Sequence, residues 1–360
     1  MPAPAIVHDY LTQRGGAERV VLAMMRAFPG APLHTSLYDP EGTYDEFAAL
    51  DVRPGPLDSL APLRMHHRLA FPLLAPAFSR LCIDADVVLC SSSGWAHGVR
   101  TTGRKIVYCH SPAKWLHQPE RYRTGGAAGA LALRSLRRPL LRWDRRSAAT
   151  ADRYLVNSTA VQRWVHEAYG IAADVVPPPG GVDASGPREP VPGVEPGFFL
   201  CVGRLLAYKN VDAVVRAFRH IPEQRLVVVG SGPMADTVEA QRPANVQVLR
   251  SVSDAQLRWL YHRSAGLIAA AYEDYGLTPL EAASFGKPTA ALRWGGFLDT
   301  VVEGSTGTFF DAPTVDGITD AVERLRSTVW NPDRIQAHAG LYSEGRFADR
   351  LRAIVEEERR

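Results

Sequence analysis

Two doubly wound α/β domains, each a parallel sheet wrapped in helices, are what this sequence predicts. Three observations carry the expectation. Short β-rich runs alternate with longer helical stretches along the chain, the signature of strand–helix–strand units. A breaker-rich stretch from Pro177 to Pro196 interrupts the pattern, which then restarts. The length of 360 residues suits two domains of about 150 to 200 residues each. The expected boundaries are 1–180 and 181–343. Two such domains facing each other would frame a cleft, because open parallel sheets bind ligands beyond the carboxyl ends of their strands.

In the first domain, Ala5–His8, Ala85–Cys90, Lys105–Cys109 and Tyr154–Asn157 are short apolar runs and read as buried strands. Between the first two, Gly15–Phe28 places Val20, Val21, Met24 and Met25 at helical spacing. This is the first crossover helix. After the break, Phe198–Val202, Arg225–Val229, Val246–Leu249, Gly266–Ala270 and Thr289–Leu292 read as successive strands with helices between them.

Composition excludes several classes. No run approaches the roughly 18 apolar residues of a membrane span, and the N-terminus lacks a basic leader, so a cytoplasmic protein is expected. Cys82, Cys90, Cys109 and Cys201 have no metal or redox spacing and read as reduced core residues. The net charge of +3 is unevenly spread, with 21 Lys/Arg against 15 Asp/Glu in residues 1–180. Much of that excess lies in 121–146, where Arg134, Arg137, Arg138, Arg142, Arg145 and Arg146 alternate with leucines and Trp143. Such a helix suits an anionic membrane surface, at the inner face of the membrane, and a lipid-linked acceptor. It equally suits a solvated face with a buried leucine side. No recognition motif accompanies the charge, so nucleic acid is not an expected partner.

Every informative motif follows an expected strand. Gly15 and Gly16 open the first helix, where backbone N–H groups can meet an anion or simply make a tight turn. Gly203 and Arg204, then Lys209, follow the first strand of the second domain; an Arg fork with a Lys point charge can grip a diphosphate. The longest motif is Glu273-Asp-Tyr-Gly276-Leu277-Thr278-Pro-Leu-Glu281. It runs from a strand, Gly266–Ala271, into a helix expected at Leu280–Phe285. Glu273 should lie on the loop and Glu281 in the helix, flanking free N–H groups of Gly276 to Thr278. Read blandly, Glu281 is only a favourable charge near a helix N-terminus.

Two glutamates separated by seven residues, with this Tyr-Gly-Leu-Thr-Pro-Leu filling, resemble the signature of glycosyltransferase family 4, retaining enzymes of the GT-B fold. Gly15-Gly16-Ala17-Glu18, Cys109-His110-Ser111-Pro112, Val202 through Asn210, Val229 through Pro233, and Gly295-Gly296 to Gly307 agree in order. The resemblance implies transfer of a sugar from a nucleoside diphosphate sugar to an acceptor hydroxyl, without metal or cofactor. It implies that Arg204 and Lys209 bind the diphosphate, with Gly15 and Gly16 lining it. Glu281 would hold the ribose, and Glu273 the transferred sugar, with the N–H groups of Gly276, Leu277 and Thr278. His110 would lie near the sugar's 6-hydroxyl, and Ser251 and Val252 beside the base. The C-terminal helix, 344–360, would cross back to the first domain. His8-Asp9-Tyr10-Leu11 with the Glu273-Asp-Tyr-Gly filling resembles mannosyltransferase-like members using GDP-mannose. UDP- or ADP-linked donors, and a nucleotide-sugar epimerase on the same fold, remain open.

Three further motifs compete. Gly230-Ser-Gly232-Pro-Met-Ala235 fits a dinucleotide fingerprint, the mark of an NAD(P)-dependent oxidoreductase, but follows the domain's second strand rather than its first. Asp84-Ala-Asp86 precedes a strand and reads as turn chemistry. His66-His67 and His8-Asp9 suggest a metal or a dyad, yet adjacent residues seldom share a ligand, so no metal is assigned.

Overall fold

The computed structural model describes residues 3–118 and 127–360, with 127–135 described by backbone alone. The chain forms two compact units, Met1–Pro178 with Glu344–Arg360, and Pro179–Ser343.

The first unit is built on seven parallel strands ordered Val52–Pro54, Leu33–Thr35, Ala5–His8, Val87–Ser92, Arg104–Cys109, Arg153–Val156 and Asp174–Val175. The central strands are buried end to end, because helices cover both faces of a parallel sheet. Helix Gly16–Ala27 buries Val20, Val21, Met24 and Met25 as their spacing predicts. Helix Glu344–Arg359 packs Phe347, Leu351, Ile354 and Val355 into the core that this helix shares with the sheet. The sequence reading left out three of the seven strands. Each has only two or three residues, too few to show a period.

The second unit holds six parallel strands ordered Val246–Leu249, Leu226–Val229, Phe199–Val202, Gly266–Ala269, Thr289–Leu292 and Gly307–Phe310. This is the doubly wound order, with the chain reversing direction across the sheet beside Phe199–Val202. Both units are Rossmann-like α/β folds, as expected. The expected linker is largely not a linker: Val191 and Val194 are buried in the second core, and the Glu189 N–H donates to the Ala255 carbonyl.

Other expectations need correction. Cys90, Cys109 and Cys201 are buried, but Cys82 is exposed and not a core residue. The basic segment is a helix, Ala127–Ala148, whose Leu140 and Trp143 pack on the core while Leu136 is exposed. Arg121 and the side chains of Leu131, Leu133 and Arg134 lie outside the described residues.

Candidate donor site and the family of the chain

All strands of the second sheet are parallel, so the loops that follow them gather at one edge. Gly203 and Arg204 follow Phe199–Val202, Ser251 and Val252 follow Val246–Leu249, and Glu273 to Gly276 follow Gly266–Ala269. Arg204 is exposed and makes no ion pair among the described residues. Lys209 ends a 3₁₀ turn, Ala207–Lys209. The next residue, Asn210, has φ of 53° and donates its side-chain amide to the Ala270 carbonyl at 2.8 Å. That bond, with Tyr272 N–H to Tyr208 O at 3.1 Å, ties the Lys209 loop to the Glu273 loop. The sequence reading sent Lys209 and Glu273 to different parts of a ligand; the structure joins them in a direct, half-buried ion pair.

Helix Leu277–Ser284 begins three residues earlier than expected, with Gly276 at its N-cap and no side-chain cap. Gly276 has φ of +93°, and a Cβ there would lie 2.6 Å from the Phe297 ring. Only glycine fits both the backbone and the space. Glu281 therefore sits in the second turn rather than at the N-terminus. It is buried, and its Oε2 accepts a 2.6 Å bond from the Tyr261 hydroxyl. The bland reading, a favourable charge near a helix N-terminus, accounts for neither that burial nor the hydroxyl partner. Tyr261, whose ring stacks on Phe285 at 5.6 Å, is the partner that sequence reasoning missed. Ser251 is exposed and Val252 packs at the margin of the core.

The fingerprint-like glycines serve packing. Gly230 has φ of +152°, and a Cβ on it would run into the Gly203 carbonyl. The Leu205 N–H donates to Ser231 O at 2.8 Å, and Met234 N–H to Leu205 O at 3.0 Å. The loop thus buttresses the Arg204 loop. Arg250, in place of a ribose-binding acid, pairs with Asp236 at 2.6 Å.

At the carboxyl edge of the first sheet, Gly15 is the N-cap of helix Gly16–Ala27, again without a side-chain cap. Beneath this loop runs a buried polar chain. His8 Nδ1 lies 3.2 Å from the Ser91 carbonyl and 3.0 Å from Ser91 Oγ; Ser91 Oγ lies 2.8 Å from His110 Nε2. A carbonyl only accepts, so His8 Nδ1 carries a proton. The Ser91 hydroxyl can then donate onward, which would make His110 Nε2 the acceptor and put its proton on Nδ1. Burial, aided by the charge of His8, pulls the His110 pKa down to about 3. Burial opposes charge on His8 too, but Glu18, then Asp9 and the Ser91 carbonyl, carry its pKa above the usual range. Glu18 is 1% exposed and 3.8 Å from His8 Nε2. His8-Asp9 is not a dyad: Asp9 accepts from the N–H groups of Ser93, Trp95 and Ala96 at 2.6 to 3.2 Å. Glu18 was visible in the glycine motif, three residues after the N-cap, but had no role assigned. Of the other pair, His67 bonds Thr12 and stacks on Tyr10. Asp84 accepts a bond from the Thr102 hydroxyl, 18 residues along the chain, and not from the backbone of its own turn.

Comparison with known proteins fits this geometry. The profile described as Glycosyltransferase Family 4 matches residues 14–185, and that described as Glycosyl transferases group 1 matches 187–334. A GDP-mannose-dependent alpha-(1-6)-phosphatidylinositol monomannoside mannosyltransferase of Mycolicibacterium smegmatis is 32% identical over 144 residues, 35% of this chain and 37% of that one. A glycogen synthase of Pseudomonas syringae is 28% identical over 204 residues, 54% of this chain and 39% of that one. The matched regions thus span under two fifths of these relatives' lengths. The solved structure of Anabaena HepE in complex with UDP-glucose superposes with a TM-score of 0.70 at 17% identity, covering 99% of this chain and 100% of the other. The two profiles take in nearly the whole sequence between them, one on each unit, and the chain belongs to glycosyltransferase family 4.

Proposed function

We propose that this glycosyltransferase moves a hexose, mannose from GDP-mannose, to an acceptor hydroxyl in glycan or glycolipid assembly, with retention and without a metal. The observation that carries the donor reading is the meeting at one sheet edge of Arg204, the Lys209–Glu273 pair, the uncapped N–H groups at Gly276 to Thr278, and buried Glu281. The cations and N–H groups suit a diphosphate. The two carboxylates suit the hydroxyls of sugar and ribose. The choice of mannose is supported by the Mycolicibacterium relative, which is GDP-mannose-dependent by name, and by the sequence around Glu273. A second reading, a glucosyl donor carried by another base, is favoured by the glycogen synthase relatives.

The chemistry needs few groups. The bond from the anomeric carbon to the diphosphate oxygen breaks, and the diphosphate leaves with the electron pair. The acceptor oxygen bonds to the same face of that carbon, and its proton passes to a phosphate oxygen. Arg204 and Lys209 would stabilise the charge gathering on the leaving group, a preorganised electrostatic role in place of a metal's. His110, neutral with Nδ1 protonated, would act as a donor to a sugar hydroxyl and not as a base.

We infer also that the acceptor is lipid-linked and that the protein meets an anionic membrane face on its cytoplasmic side. The exposed Arg138, Arg142, Arg145 and Arg146 of helix Ala127–Ala148 support this. No helix among the described residues is long and apolar enough to cross a membrane.

Titration calorimetry of the full chain with GDP, UDP, ADP and NADP, without added metal, tests the donor site. Saturable binding of GDP, lost in Glu281→Ala and Arg204→Ala, is expected. Binding of UDP or ADP instead would reject mannose from GDP-mannose and keep the site. Binding of NADP alone would overturn both.

A further inference from the structure

The amino ends of the first unit's strands carry a second constellation, on the edge opposite His110. Lys105 is the second residue of strand Arg104–Cys109, five residues or about 17 Å of strand from His110. Its ammonium, in a residue only 4% exposed, bonds Thr150 Oγ1 at 2.7 Å and the His97 carbonyl at 3.3 Å. Among the described residues no carboxylate makes an ion pair with it; Asp152, which accepts the Lys105 backbone N–H at 2.7 Å and pairs with Arg104, attracts it from beyond ion-pair range. Two of its three donors are thus engaged, and both partners are neutral.

Around Lys105 opens a hollow of about 400 Å³ whose lining includes Arg100, Thr101, Arg146 and Ser147. Arg100 and Arg146 are exposed and likewise make no ion pair among the described residues. No acidic side chain lines the hollow. Three cations with hydroxyls around them and no acidic side chain in the lining form a site for an anion. The buried ammonium is costly while it lacks one.

A second hollow, of about 440 Å³, adjoins the first. Both include Ser79 and Trp143 in their walls. The second lies between helices Phe71–Arg80 and Ala127–Ala148. Apart from Ser79 and Arg80 its lining is apolar, including Ala75, Pro76, Leu136 and Leu140. The Trp143 indole stands between the two, held by its N–H to Ser79 Oγ at 2.8 Å. A polar cationic hollow beside an apolar one has the two-part character of an amphiphile.

We propose that these adjacent hollows bind an anionic phospholipid that passes over the Trp143–Ser79 pair, its phosphate against Lys105, Arg100 and Arg146 and its chain along Leu136, Leu140 and Trp143. The site stands apart from the donor-binding residues and does not depend on the reading of the donor. It anchors a lipid where the strands begin, far from where sugar transfer is expected.

Calorimetric titration of the full chain with inorganic phosphate, dihexanoylphosphatidic acid and dihexanoylphosphatidylcholine, each as monomers, tests it. The phosphatidic acid should bind saturably and at least about tenfold more tightly than phosphate or the choline lipid. Lys105→Met should weaken it at least about tenfold. The double variant Arg100→Ala/Arg146→Ala should do the same while altering only exposed residues, so a folding failure in the first variant leaves the test intact. No saturable binding of phosphatidic acid, or binding unchanged in the double variant, overturns the proposal. Equal affinity for phosphate and phosphatidic acid overturns the lipid and leaves a site for a free anion.

Discussion

On the proposed reading, Lys209 would act through charge alone. Its ion pair with Glu273 fixes the ammonium at the edge where a diphosphate would leave, and Asn210 locks the loop that carries it. Loss of one cation from a clamp on a developing charge typically costs about 10² to 10³ in turnover. Lys209→Ala should show that loss in kcat with donor KM changed far less, and wild-type kcat would remove Lys209 from the chemistry. His110 makes a sharper case, because its protonation follows from its partners. With a pKa near 3 it stays neutral from pH 8 down to pH 5, and a Ser91 hydroxyl donating to Nε2 would put the proton on Nδ1. ¹⁵N spectra of the labelled protein should show one ring nitrogen protonated and no titration of His110 across that range. Ser91→Ala removes the donor to Nε2 and should bring a tautomer mixture. Titration of His110 near pH 6.5 in the wild type would show that burial does not hold it neutral.

At the scale of elements, what could be read in the sequence depended on length and on distance along the chain. Fully buried strands such as Val87–Ser92 show as apolar runs, whereas Leu33–Thr35 and Val52–Pro54 are shorter than any detectable period. Site residues that share a local motif, Glu273 to Glu281, were visible. Their partners were not, because Tyr261 reaches Glu281 across 20 residues and His8 reaches Ser91 across 83, and no periodicity encodes such pairs. Gly230 misled for the opposite reason: a glycine needed for close backbone approach looks the same whether the neighbour is a phosphate or the Gly203 carbonyl. The start of helix Leu277–Ser284 is the element most exposed to a single change. Gly276→Ala must place a side chain at φ of +93° and 2.6 Å from Phe297. The conformation alone costs about 1 to 2 kcal/mol, and the clash adds to it. Urea unfolding should show a loss of at least 2 kcal/mol, together with weaker GDP binding, since the N–H groups at 276–278 shift. Unchanged stability would mean that the loop relaxes freely, and its N–H groups could not then be preorganised.

For the whole molecule, the chain returns to its beginning. Helix Glu344–Arg359 is the last element in sequence, yet it completes the first unit and not the second. Phe347 meets Tyr108 edge-on at 5.9 Å, Leu351 is fully buried, Arg352 donates to the Ala27 carbonyl at 3.0 Å, and Arg153 pairs with Glu357. The first unit therefore has a core that no N-terminal fragment contains. Leu351→Ala should cost about 2 to 5 kcal/mol by cavity formation, and the cost should fall on one unit. A ligand of the second unit raises that unit's transition by mass action, which labels it. In calorimetric scans with saturating GDP, Leu351→Ala should lower the transition that GDP does not raise and leave the other in place. If both transitions fall together, the two units unfold as one cooperative body, and the C-terminal helix stabilises the second unit as well as its own.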